Sequence, residues 1–210
     1  RCFRSADPGA KGRLLRLRDF LELTNPRVRS LVLFTTAVGY WLGRRGPQPA
    51  VETITVLLGT ASVVGGANAL NEWMEREADA LMHRTQHRPL PAGRLNPEQA
   101  RWFGSCLIAG GLLVLAVAVN GLSALLAAIA AATYLFVYTP LKRYSSLCTL
   151  VGAVPGALPP MIGWAAARQA LGLEAWVLFA MLYLWQLPHF LAIATLYRED
   201  YARAGFRMLP

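Results

Sequence analysis

Asn71, Glu75 and Asp79 stand four residues apart in the stretch NEWMEREADALMHRTQHRPL, residues 71–90. On an α-helix each step of four turns about 400°, so the three side chains stay within roughly 80° of one another, in a stripe about 12 Å long. An amide and two carboxylates, with no Cys or His among them, suit Mg²⁺, which takes one or two carboxylates and fills its shell with phosphate oxygens. Arg84 and Arg88 follow, again four apart, and a guanidinium fork matches phosphate oxygens. A plainer reading is a solvated loop whose acids and bases pair with one another, and spacing alone does not choose. His83 and His87 extend the stripe as a zinc pair, but the zinc-protease pattern needs Glu directly after the first His, and Arg84 stands there.

Other polar groups interrupt apolar runs. FVYTPLKRYSS places Tyr138 and Lys142 one helical turn apart, a pair able to hold a diphosphate oxygen. Equally, the tyrosine reads as a membrane-interface anchor and the lysine as a basic loop residue. LWQLPHF sets Gln186 and His189 within an apolar run around Pro188. Ionisable groups at such depth are functional candidates. The alternative is a core histidine bonded to a neighbouring helix or to the carbonyl that Pro188 leaves free. YREDYARAG then supplies a second acidic cluster, Glu199 and Asp200.

The elements that must position these groups are membrane helices. The 210 residues are 55% hydrophobic and 16% charged, with a mean hydropathy of +0.36. Soluble domains average about 45–50% apolar and about 25% charged. Six spans are expected, at 28–44, 51–71, 102–120, 122–140, 147–167 and 173–197. All are helical, since lipid offers no partner to free backbone groups. The fold class is therefore all-α, a polytopic transmembrane helical bundle forming a single domain over 1–210. GAVPGALPPMIGWAA, rich in Pro and Gly, predicts a kinked or locally unwound fifth span. Residues 11–27, with leucines at helical spacing among arginines, predict a helix lying in the membrane interface. Asp7, Asp19 and Glu22 argue against a transit peptide there.

The net charge of +9 does not point to nucleic acid, because the basic residues sit between apolar spans. Only Arg44, Arg45 and Arg168 fall on one side of the expected topology, and every other Lys and Arg falls on the other. That bias places the N-terminus and the acidic loops on the cytoplasmic or matrix side of a multi-pass protein. Cys2, Cys106 and Cys148 are too scattered for a disulfide framework. Starting at Arg1 and stopping at Pro210 after a charged loop, the chain is expected to be a piece of a longer protein.

Acidic clusters and arginines at one mouth, above an apolar interior, suit an amphiphile with a diphosphate head and a hydrocarbon tail. Mg²⁺ would neutralise the leaving diphosphate, and a dry cavity would shield the allylic cation. A transporter or haem-handling protein without chemistry would also fit the kinked span and His189, though it has no need of a diphosphate-releasing mouth.

With these residues in view, the sequence resembles the UbiA superfamily of intramembrane prenyltransferases, and within it the branch that farnesylates haem. The resemblance rests on NALNEWMEREADALMHRTQHRPLPAGRL together with LTNPRV, YTPLKR, GALPPMIGWAA, WQLPHF and YREDYARAGFRMLP, in that order. It implies Asn71, Glu75 and Asp79 as the Mg²⁺–diphosphate motif, with Tyr138 and Lys142 beside them in the catalytic set. It also implies Arg84, Arg88, Arg27, Arg198, Gln186 and His189 as substrate-binding positions, and Glu199 and Asp200 as further metal positions. Glu75 stands where the family usually has Asp, Asn25 where it often has Lys, and the second cluster lacks Asp-x-x-x-Asp. The implied donor is farnesyl diphosphate and the implied acceptor haem B, within a lipid bilayer of the bacterial plasma membrane or mitochondrial inner membrane. Haem A synthase is the implied partner. Nine spans are usual, so the six visible ones imply a C-terminally incomplete domain. An aromatic quinone precursor or a chlorin is the alternative acceptor.

Overall fold

Proline begins several of the helices, where its missing N–H is no loss and its fixed φ suits a first turn. In the computed structural model, which describes residues 17–47 and 49–208, α1 runs Pro26–Gly43, α2 Ala50–Leu81, α3 Pro97–Ala118 and α4 Gly121–Ala132. Then come α5 Cys148–Ala157, α6 Pro159–Arg168, α7 Leu173–Leu196 and the short α8 Arg198–Arg203. There is no strand among the described residues. Asn96 caps α3 by accepting from the Glu98 N–H (2.9 Å), and Asn120 caps α4 through the Ser123 N–H (2.9 Å). The Asn120 amide also donates to the Ala165 carbonyl (3.0 Å), which ties the start of α4 to the end of α6.

Five segments are long and apolar enough to cross a membrane: Ala50–Leu81, Pro97–Ala118, Gly121–Leu141, Cys148–Arg168 and Leu173–Leu196. They match five of the six expected spans. The first expected span is helical as α1, but Arg27 and Arg29 at its start leave its 18 residues too polar to join the five. The second continues past its expected end to Leu81, so Asn71, Glu75 and Asp79 share one uninterrupted helix. The fifth breaks at Leu158, where Pro159 and Pro160 supply no N–H to continue the ladder. The expected interfacial helix lies partly outside the described residues. Its described part is helical over 17–23 and stops at Asn25, whose φ is 48°. Leu17 and Leu21 are exposed there, while Leu23 is buried.

Close helix contacts are made by glycine. A Cβ on Gly66 would lie 2.5 Å from the Gly104 carbonyl oxygen, and one on Gly111 2.7 Å from that of Gly59, so α2 and α3 meet backbone to backbone. The same holds for α1 and α6 at Gly39 and Gly163. Many large apolar side chains face outward, among them Leu31, Phe34, Leu113 and Leu184, as lipid contact requires. The bundle has two polar ends. One gathers the 17–23 helix, the 82–96 loop, Lys142 and α8, and the other gathers Arg44, Glu52 and Arg168.

Candidate functional site

Pro140 cannot donate an N–H, and the helix before it widens into a π-helical turn over Thr133–Tyr138. The widened turn stacks Tyr134 on Tyr138 (ring centroids 5.7 Å apart) and brings Thr139 against α2. Thr139 donates its hydroxyl proton to the Tyr134 carbonyl (2.8 Å) and so can only accept from the Asn71 amide (2.9 Å). That fixes the Asn71 amide with its nitrogen toward Thr139 and leaves its carbonyl oxygen as an acceptor for another group.

One turn along α2, the Glu75 carboxylate receives the Lys142 ammonium on both oxygens, each at 2.9 Å. The same ammonium sits 4.6 Å from the Tyr138 ring centroid. A further turn along, Asp79 accepts from Arg88 (2.8 Å), whose Nε is also 3.6 Å from Glu72. Burial works against the Arg88 charge, but Asp79 and Glu72 outweigh it and hold the guanidinium above the ordinary arginine range. Asn71, Glu75 and Asp79 are all buried, so the stripe is no solvated loop face, although its acids and bases do pair.

These groups roof a cavity of about 480 Å³, with Arg84 at its rim. Below them the walls are apolar, from Val63, Ala67, Ala127, Ala131 and Ile162. The cavity reaches the surface between α1 and α7, past exposed Leu31, Trp185 and His189. Gly152 and Gly156 line the cavity on α5 and make room for its polar neighbours, since a Cβ on the first would collide with Tyr138 and on the second with Gln186. The buried Gln186 amide donates to Leu182 (3.1 Å) and Ala153 (3.4 Å) and ties α7 to α5. His189 is exposed and stacked on Trp185 (5.1 Å), and its ring makes no hydrogen bond among the described residues. Among the described residues no three His, Cys, Asp or Glu converge to cage an ion. Asn71, Glu75 and Asp79 instead form a partial oxygen set, which fits a cation whose remaining ligands come with a phosphate substrate.

The structure thus brings Asn71, Glu75, Asp79, Arg84, Arg88, Tyr138, Lys142, Gln186 and His189 to one cavity. Arg27, Arg198 and Glu199 are exposed and do not line it. Asp200 is buried beside it, its oxygens accepting the His83 and Arg84 backbone N–H groups at 3.2 Å each. Burial alone would raise its pKa, but those two N–H groups and Arg203 outweigh it, and the carboxyl lies below the ordinary aspartate value. The sequence reading missed Glu72, which is buried with one oxygen unpartnered, and Asn68, which lines the cavity and donates to the Thr24 carbonyl (3.2 Å). Asn68 lies three residues before Asn71, on the same helix face, and that spacing was a usable signal. Glu72 lies seven residues before Asp79 and within about 20° of it around α2, so helical spacing could have found it too; a spacing of four passes over it, and its partner comes from the returning loop.

A helical membrane bundle with a carboxylate and guanidinium mouth over an apolar cavity now has relatives to set beside it. The chain belongs to the UbiA prenyltransferase family, whose sequence model matches residues 32–210. It is 48% identical over 205 residues to the protoheme IX farnesyltransferase of Solibacter usitatus, covering 92% of this chain and 70% of the relative. To the protoheme IX farnesyltransferase of Anaeromyxobacter sp. strain Fw109-5 it is 52% identical over 191 residues, covering 91% of this chain and 64% of the relative. The chain thus spans about two thirds of the length of these curated relatives, 70% of one and 64% of the other. The fold matches that of a UbiA homolog from Archaeoglobus fulgidus bound to DMAPP and Mg²⁺, with a TM-score of 0.76 at 18% identity. That match covers 91% of this chain and 68% of the homolog.

Proposed function

We propose that this cavity transfers a farnesyl group from farnesyl diphosphate to a vinyl group of haem B. The observation that carries the reading is the mouth itself. Two buried carboxylates and a fixed amide oxygen share a helix face, each carboxylate is matched to a cation, and all open onto an apolar cavity. Buried ion pairs add little net stability compared with apolar side chains of the same size, so their presence here favours ligand binding over scaffolding. Asn71, Glu75 and Asp79 would hold Mg²⁺, which when bound neutralises diphosphate charge. Arg88 and Lys142, released from their carboxylates, would turn to the diphosphate oxygens along with Arg84.

In the step proposed, the C1–O bond of the donor breaks and diphosphate leaves with the electron pair. The haem vinyl π-electrons form the new C–C bond to C1, and water adds to the resulting cation, losing a proton to solvent. The apolar walls keep water from the farnesyl cation before the vinyl group reaches it. The relatives' names support haem as acceptor, and the exposed His189 at the opening would face it. The basic end, which carries the 17–23 helix, would lie on the cytoplasmic or matrix side of the membrane. Haem A synthase would then take the product.

Membranes carrying the protein, given farnesyl diphosphate, haem B and Mg²⁺, are expected to accumulate haem bearing an added farnesyl and hydroxyl group, read by mass. Preferential prenylation of an aromatic or chlorin acceptor, with haem untouched, overturns the acceptor. No Mg²⁺-dependent product with any of these acceptors overturns the enzymatic reading.

A further inference from the structure

Both oxygens of the buried Asp200 carboxylate are engaged by the consecutive backbone N–H groups of His83 and Arg84, more than a hundred residues away in sequence. Those N–H groups open the loop that leaves α2, and Arg84 and Arg88 both lie on that loop. The segment around Asp200 makes further contacts to the same mouth. The Arg84 guanidinium lies 5.1 Å from the Tyr197 ring centroid, and Arg203 lies 3.5 Å from Asp200. Phe206 is buried against Ala78 and Met82, at the end of the acidic stripe. On the far side, the Arg207 N–H donates to the Lys142 carbonyl (2.8 Å), and the Lys142 ammonium sits 5.7 Å from the Phe206 ring centroid. Residues 197–208 therefore grip both cationic walls of the cavity mouth, one through the 82–96 loop and one through Lys142.

We infer that Asp200 is a positioning residue, an anchor that fixes the Arg84 loop over the cavity mouth. The inference rests on the reading of Arg84 as diphosphate-facing. A carboxylate suits the task because two adjacent N–H groups need two acceptor oxygens, and charge-assisted hydrogen bonds of this kind are the stronger class. Asparagine offers one such oxygen and no charge. Glu199, its neighbour, points to solvent and cannot substitute.

The test uses the protein in lipid nanodiscs, wild type and Asp200→Asn. Hydrogen exchange at the His83 and Arg84 amides reports the anchor directly, and calorimetry with farnesyl diphosphate at varied Mg²⁺ reports its consequence. The anchor predicts lost protection at those two amides. It also predicts about tenfold weaker diphosphate binding, the low end for hydrogen bonds to a charged acceptor, with no change in the half-saturating Mg²⁺. Retained amide protection, or a raised Mg²⁺ requirement, overturns it and makes Asp200 a metal ligand or a bystander. Should Asp200→Asn fail to fold, Asp200→Glu carries the test. Partial protection with an unchanged Mg²⁺ requirement then supports the anchor, and full protection with a raised requirement overturns it. A wild-type protein that binds no farnesyl diphosphate sinks the reading of the site but not the anchor, which amide exchange reports by itself.

Discussion

The Lys142 ammonium lies 2.9 Å from both carboxylate oxygens of Glu75, with both side chains nearly out of solvent at 12% and 6% exposure. Removing one partner strands the other. Lys142→Met is expected to destabilise the bundle by about 3–5 kcal/mol, the usual cost of a broken buried pair. Adding Glu75→Gln should recover most of that loss, because the stranded charge is then gone. Thermal unfolding in detergent of both single variants and the double variant checks this. Additive losses would show that the two groups do not interact.

Asp79 meets Arg88 at 2.8 Å and is 1% exposed. Asp79→Asn keeps its size and removes the charge that would balance Mg²⁺. Turnover should fall by more than about 100-fold, beyond the 10–100-fold typical of groups one step removed from a metal. Glu75→Asp should retain much of the activity, since the ion can shift or take a water instead. Normal turnover by Asp79→Asn under limiting Mg²⁺ would leave the stripe a purely structural feature.

A Cβ on Gly39 would lie 2.7 Å from the Pro160 carbonyl carbon and closer still to its oxygen, while nothing lies within 4 Å of one on Gly110. Gly39→Ala should therefore cost about 1–3 kcal/mol by forcing α1 from α6. Gly110→Ala should be neutral or stabilising by up to about 1 kcal/mol, through helix propensity alone. Matching melting temperatures for the two variants would contradict the close α1–α6 contact.

His189 reaches the cavity opening stacked on Trp185 and tilted against Phe190, with no hydrogen bond from its ring among the described residues. His189→Ala is expected to weaken haem binding, followed by Soret absorbance, and to leave farnesyl diphosphate affinity nearly unchanged. Equal losses for both ligands would mean that α7 has collapsed. Unchanged haem affinity would remove His189 from the acceptor site.

The spans were legible because lipid imposes a length and forbids unpaired backbone, and the Pro–Gly run marked the α5–α6 break for the same reason. The stripe was legible from its spacing of four. Partners that arrive from distant segments were not. Nothing local announces that Lys142 meets Glu75, that Glu72 backs Arg88, or that Asp200 caps the His83 and Arg84 amides, because those contacts come from how the loops return over the bundle end. The π-helical turn that brings Thr139 to Asn71 was also hidden, since Pro140 signals an interruption without saying how the helix absorbs it. The glycine seams between α2 and α3 went unread because small residues are common in any membrane helix.

The most direct test of the account is the yield of farnesylated haem as Mg²⁺ is titrated into membranes carrying either wild-type protein or Asp79→Asn, with farnesyl diphosphate and haem B in excess. The account predicts product that rises with Mg²⁺ and vanishes on chelation for the wild type, and almost none for the variant at any Mg²⁺ concentration. Product that forms without divalent metal, or equally in both proteins, would contradict it.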